Sequence, residues 1–134
     1  MKGKIPEEIL DSFLESLPIE FSILDKDDKV LAWNKHQSRV FKRPESVIGR
    51  DVRDCHPKKS LHKVEQIIDE MKSGERNKAR FWIDMKMKDK DQKEKILIEY
   101  YAIRDDEENY LGCLEASRKI TDIQDITGEK KLLD

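Results

Sequence analysis

Three segments of alternating apolar and polar residues, ARFWIDMKMK (79–88), KILIEYYAIRD (95–105) and YLGCLEASRKI (110–120), follow one another with only short polar turns between them. That succession is the tightest constraint on the fold. Strands joined so closely pair as antiparallel neighbours, because a parallel pairing needs a crossover of a dozen or more residues. In the first segment Ala79, Phe81, Ile83, Met85 and Met87 share one face, while Arg80, Trp82, Asp84, Lys86 and Lys88 share the other. The apolar set is expected to face the core, which turns both methionines inward.

Upstream, IEFSILDKDDKVLAW (19–33) reads as two more strands around an Asp-rich turn. Before it, EEILDSFLESL (7–17) sets Leu10, Phe13, Leu14 and Leu17 on one helical face and is closed by Pro18. Between residues 34 and 57, Pro44 and Gly49 forbid one long helix, and Pro57 biases His56 away from helical geometry. Ser60 is the expected N-cap of a helix whose apolar stripe is Leu61, Val64, Ile68 and Met71, with Gly74 as its stop. The order predicts an α+β fold, a five-stranded antiparallel sheet with short helices on one face. Three parts are expected: an N-terminal amphipathic helix (1–17), a central domain (18–120) and a C-terminal connector helix (121–134) interrupted at Gly128.

A chain of 134 residues fits one core. Charged residues make up 42% of it, yet the net charge is only −2, so the surface mixes both signs and a nucleic-acid groove is not expected. No apolar run approaches the roughly twenty residues a membrane span needs, and the acidic N-terminal segment is unlike a secretory signal. A cytoplasmic location follows as an expectation, and the two scattered cysteines agree with a reducing compartment. A Gly-rich phosphate cradle, a nucleophile elbow and an HExxH motif are all missing from the sequence, and the many turn carboxylates, as in DKDD and RDDEEN, are expected to be solvated. An enzyme is not expected.

The hairpin FSILDKDDKVLAWN, the stretch RPESVIGRDVRDCHPKKSLHKVEQIIDEMKSGE and the closing YLGCLEASRKITDI together resemble a PAS sensor domain from about Leu17 onward. DCHPKKSLHKVEQI and EKKLLD are similar to a PAS subfamily found beside hemerythrin-like domains and, less closely, to haem-binding PAS domains fused to LytTR DNA-binding domains, which sense carbon monoxide. The resemblance implies a small molecule or cofactor held between helices and sheet. It also implies a homodimer formed through the N-terminal helix and outer sheet face, and a signal passed to residues 120–134.

Haem b is the specific cofactor this implies. Met85 or Met87 on the sheet and His56 on the helical side would be its axial ligands, with His62 as second choice and a diatomic gas displacing the sulfur. The bland alternatives are that both methionines are core packing and that His56 only marks a helix entry. His36 reads as a partly buried histidine with a hydrogen bond. Cys55, beside His56 and near His62, invites zinc, but the four-ligand spacing of a structural site is missing. It also lies where IGRDVRDC resembles a flavin photosensor of the PAS superfamily, although the residues after that cysteine differ. An inert thiol is the simpler reading for Cys55 and for Cys113. An organic metabolite, a flavin, or an apo protein-interaction module remain as rivals to haem.

Overall fold

The computed structural model describes residues 1–35, 39–88 and 91–133; His36 lies outside them. The first helix, α1, spans Glu7–Glu15, followed by strands β1 (Glu20–Asp25) and β2 (Val30–Trp33). Short 3-10 turns at Glu45–Val47 and Val52–Cys55 lead into the long helix α2 (Lys58–Ser73). Strands β3 (Lys78–Lys86), β4 (Lys93–Arg104) and β5 (Tyr110–Lys119) complete a single antiparallel sheet in the order β2-β1-β5-β4-β3. The predicted α+β class and five-stranded sheet are therefore what the chain forms.

Register explains which side chains meet. Leu24 stands opposite Cys113, Ala102 opposite Cys113, and Tyr100 opposite Glu115, so these share the face that α2 covers. There they join Ile96 and Ile98 with Val64, Ile68 and Met71 of the helix in one buried cluster. The 3.6-residue stripe of α2 and the two-residue period of the strands meet in that layer. Gly74 closes α2 in the left-handed conformation, as its position predicts.

Two expectations are corrected here. The cap of α2 is Pro57, and Ser60 already lies inside the helix, its hydroxyl donating back to the Pro57 carbonyl at 3.2 Å. Proline suits this place because its fixed φ leads into a helix and the first-turn N–H groups need no intrahelical partner. The helix expected over 121–134 is also not formed by its described residues, 121–133: they make a 3-10 turn at Thr121–Ile123, then bend, with Ile126, Leu132 and Leu133 exposed. A short helix draws its stability from burying an apolar face, and this segment buries none.

The Asp-rich turn departs from expectation at one residue. Asp25 caps it, accepting from the backbone of Asp27 and Lys29, and remains half-exposed. Asp28, with φ of 66°, is only 4% exposed and holds Arg53 at 3.1 Å and Lys72 at 2.9 Å. This carboxylate is thus not solvated: it ties the hairpin turn to the entry and the last turn of the helical side.

Candidate functional site

Between the sheet and the helical segments lies a chamber of about 600 Å³. Alternation supplies its sheet wall, Phe81 and Ile83 from β3, Ile98 and Tyr100 from β4, and Glu115 from β5. The Phe81 and Tyr100 rings stack with centroids 5.8 Å apart. Phe81 and Ile83 face inward yet remain 37% and 38% exposed, so the chamber opens to solvent along β3. Cys55, His56, Pro57, Ser60 and Val64 form the opposite side, and Val40, Phe41, Lys42 and Arg43 close it as a loop.

That loop is held by a buried polar lattice. Arg39 donates to the carbonyls of Phe41 and Asn34, both at 2.8 Å, and to the Ser22 hydroxyl at 3.1 Å. Its guanidinium stands 3.5 Å from the Glu20 carboxylate, which accepts from the backbone N–H groups of Val40 and Phe41. Burial pushes the Glu20 carboxyl above its usual range, against the opposing pull of Arg39 and those two amides. Asn34 completes the lattice by accepting from the Phe21 N–H and donating to the Ile19 carbonyl. The loop residues that face the chamber are therefore placed by side chains that do not.

The helical side is positioned just as tightly. Asp51 caps the turn Val52–Cys55 by accepting from the Arg53 N–H at 2.9 Å, and Arg53 also binds Asp28 and Glu65. Those hydrogen bonds hold the Asp51 carboxyl low and the Arg53 guanidinium high. His56 adopts the extended backbone that Pro57 demands. Its Nδ1 lies 3.0 Å from the Val52 carbonyl, which can only accept, so Nδ1 is the donor there and, in the neutral ring, Nε2 is the nitrogen left with a lone pair.

The sequence-predicted site residues fall into three places. His56 lines the chamber. Met85 and Met87 line an adjoining recess of about 390 Å³ with Arg39, Val40, Lys42, Lys86 and Lys88, which shares only Val40 and Lys42 with the chamber. His62 is exposed on α2. His56 and the two methionines thus border neighbouring recesses that meet at Val40 and Lys42. Among the described residues, no cluster of three or more His, Cys, Asp and Glu side chains is placed to hold a metal ion. Cys55 donates weakly to the Asp51 carbonyl at 3.6 Å, and burial raises its thiol. Cys113, fully buried, is pushed up to about 12.

Sequence reasoning missed Arg43, Tyr100 and Glu115 as chamber residues. Tyr100 was available from its two-residue spacing to Ile98 and Ile96, and Glu115 from its spacing to Cys113. Arg43 carries no local signal. Its Nη2 donates to Glu115 at 3.3 Å, a contact across 72 residues of chain.

A sheet of order β2-β1-β5-β4-β3 with a chamber under its helical side matches a PAS domain family model over residues 10–124. The chain belongs to the PAS domain family. Solved structures share this fold. A C-terminal domain from Streptococcus mutans is 30% identical, with a TM-score of 0.79 over 91% of this chain and 90% of that one. A sensory box sensor histidine kinase from Vibrio cholerae is 17% identical, with a TM-score of 0.57 over 85% of this chain and 90% of the other. VqmA of the same organism, solved bound to DPO, is 17% identical, with a TM-score of 0.57 over 83% of this PAS domain and 56% of VqmA. None of the curated proteins matches. Among the described residues, no helix is long and apolar enough to cross a membrane.

Proposed function

We propose that this PAS domain is a cytoplasmic sensory or regulatory module, not an enzyme, that holds a small organic molecule in the 600 Å³ chamber. One observation carries the reading: an apolar wall of Phe81, Ile83, Ile98 and Val64 converges with a few fixed polar groups, Arg43, His56, Tyr100 and Glu115. That combination, at a volume within the usual range of ligand pockets, is what a small-molecule site requires. VqmA, similar in fold to this chain, is solved bound to DPO, which supports the class of function. Occupancy would then bias two arrangements of the segment after Lys119, provided the ligand's affinity for them differs.

Native mass spectrometry of cell-purified protein tests this, with Ile83→Trp as the variant that fills the chamber from its open side. A bound mass present in wild type and lost in the variant is expected. No bound mass in wild type, or equal occupancy in both, would defeat the reading.

Haem b is the second reading, and the fixed His56 tautomer favours it. An imidazole whose Nδ1–H is tied to a carbonyl has Nε2 oriented as an iron ligand needs. When bound, haem would supply diatomic-gas binding at its iron; the paired methionine does not border the same chamber. Hemin titration followed by His56→Ala decides it, a Soret band unchanged by the substitution removing His56.

A homodimer belongs to the same proposal. Ile9, Leu10 and Phe13 leave an exposed apolar face on α1, and Trp82 on the outer sheet face is 62% exposed. Sedimentation of wild type against Phe13→Lys tests it: a dimer lost in the variant is expected, and a monomeric wild type would end the idea.

A further inference from the structure

The polar groups facing the chamber are unequally matched, and the mismatch names a ligand class; this rests on the chamber reading above. The Arg43 side chain is 13% exposed. It reaches Glu115 at 3.3 Å, longer than the roughly 2.7–2.9 Å of a close charge-assisted pair. Its Nε is buried with no acceptor among the described residues. Among the described residues, Lys42 and Arg43 bring two positive charges to the lining against one carboxylate, and the adjoining recess is bordered by Lys42, Lys86, Lys88 and the Glu20-paired Arg39, with no acid.

We propose that the chamber takes an amphipathic carboxylate, its apolar body against Phe81, Ile83 and Ile98 and its carboxylate on Arg43. A guanidinium presents Nε–H and one Nη–H as a parallel fork, and a carboxylate offers two oxygens at matching spacing. Glu115 engages only one prong of that fork in this structure. The ligand replaces Glu115 as the partner of Arg43, satisfies Nε and offsets the surplus charge. An alcohol of equal chain length covers the same apolar wall but leaves the fork half-used. A cationic ligand would have to choose Glu115 over both Lys42 and Arg43.

The test uses the full chain and a neutral fluorescent probe, N-phenyl-1-naphthylamine, displaced at neutral pH by decanoate, 1-decanol or decylamine. Decanoate is expected to displace it at least about tenfold more tightly than decanol, as one charge-assisted bidentate pair in a partly dry site allows. Arg43→Gln should abolish that preference and leave decanol unchanged. Arg43→Lys, which keeps the charge and loses the fork, should fall between. Glu115→Gln should tighten decanoate alone by removing its competitor, an effect a purely structural role for Glu115 would not produce. Should Arg43→Gln fail to fold by circular dichroism, the Lys and Glu115→Gln variants carry the test. Decanol or decylamine equal to decanoate, or a preference that survives loss of the fork, overturns the proposal while leaving the chamber standing. A probe that does not bind removes both.

Discussion

Gly112 on β5 approaches β1 so closely that a Cβ built on it would stand 2.2 Å from the carbonyl oxygen of Leu24. The obstacle is main chain, which cannot swing aside as a side chain does. Gly112→Ala should therefore cost about 3 kcal/mol through forced separation of the β1–β5 pair. Urea denaturation measures it, and coincident midpoints would show that the two strands do not meet as described.

Asp28 joins three parts of the chain through one buried carboxylate, holding Arg53 and Lys72. Both cations are about one-third exposed, at 34% and 36%, so water already screens part of the interaction. Asp28→Asn keeps a residue that tolerates positive φ and removes only the charge. A loss of about 1–3 kcal/mol is expected, below the figure for a fully buried pair broken on one side. Thermal unfolding of the variant should show it, and an unchanged midpoint would make the two contacts ornamental.

Glu20 gives a pH dependence of defined sign. Burial raises its carboxyl above the unfolded value, with Arg39 and two backbone amides opposing and Glu115 adding to the rise. A raised folded pKa means stability that is complete below the unfolded value and declines as the pH climbs through the folded one. Glu20→Gln lacks that decline. Measured as a difference, in which the other carboxylates cancel, the variant should gain on wild type between acidic and neutral pH. A difference that moves the opposite way would mean that Arg39 outweighs desolvation.

Ser60 distinguishes a helix cap from a helix interior. True loss of a cap typically costs about 1 kcal/mol. Because Ser60 only donates to the Pro57 carbonyl from within α2, Ser60→Ala should change stability by less than about 0.5 kcal/mol in chemical denaturation. A full cap-sized loss would return the helix start to Ser60.

The two thiols should report their surroundings. Cys113, with no exposure and a proton held up to about 12, should resist Ellman's reagent until the chain unfolds. Cys55, half-exposed but also raised, should react slowly in the native state. Rapid native modification of both would show that the core opens readily.

The sheet was legible because its signals are local. Residues 79–88 display their period within ten positions, and Met71 in the last turn of α2 and Gly74 just after it announce where the helix ends. What was hidden depends on distance along the chain. Arg43 gains meaning from Glu115, and Asp28 from Arg53 and Lys72, none of which a short window can bring together. His56 was found because Pro57 writes its backbone geometry next door, whereas its separation from Met85 and Met87 depends on where the loop around Val40 and Lys42 falls. The helix expected over 121–134 shows the limit from the other side, since composition suggested a helix whose apolar residues Ile126, Leu132 and Leu133 stay exposed.

β3 lies at the margin of the sheet and is bonded on one side only, to β4. Phe81 and Ile83 look into the chamber while Trp82, between them, looks out to the far surface. A single thickness of backbone thus divides whatever occupies the interior from the indole outside, and among the described residues no further strand pairs with that ribbon's outer edge. The membrane of a drum is built on the same principle: pressure on one skin is read on its reverse.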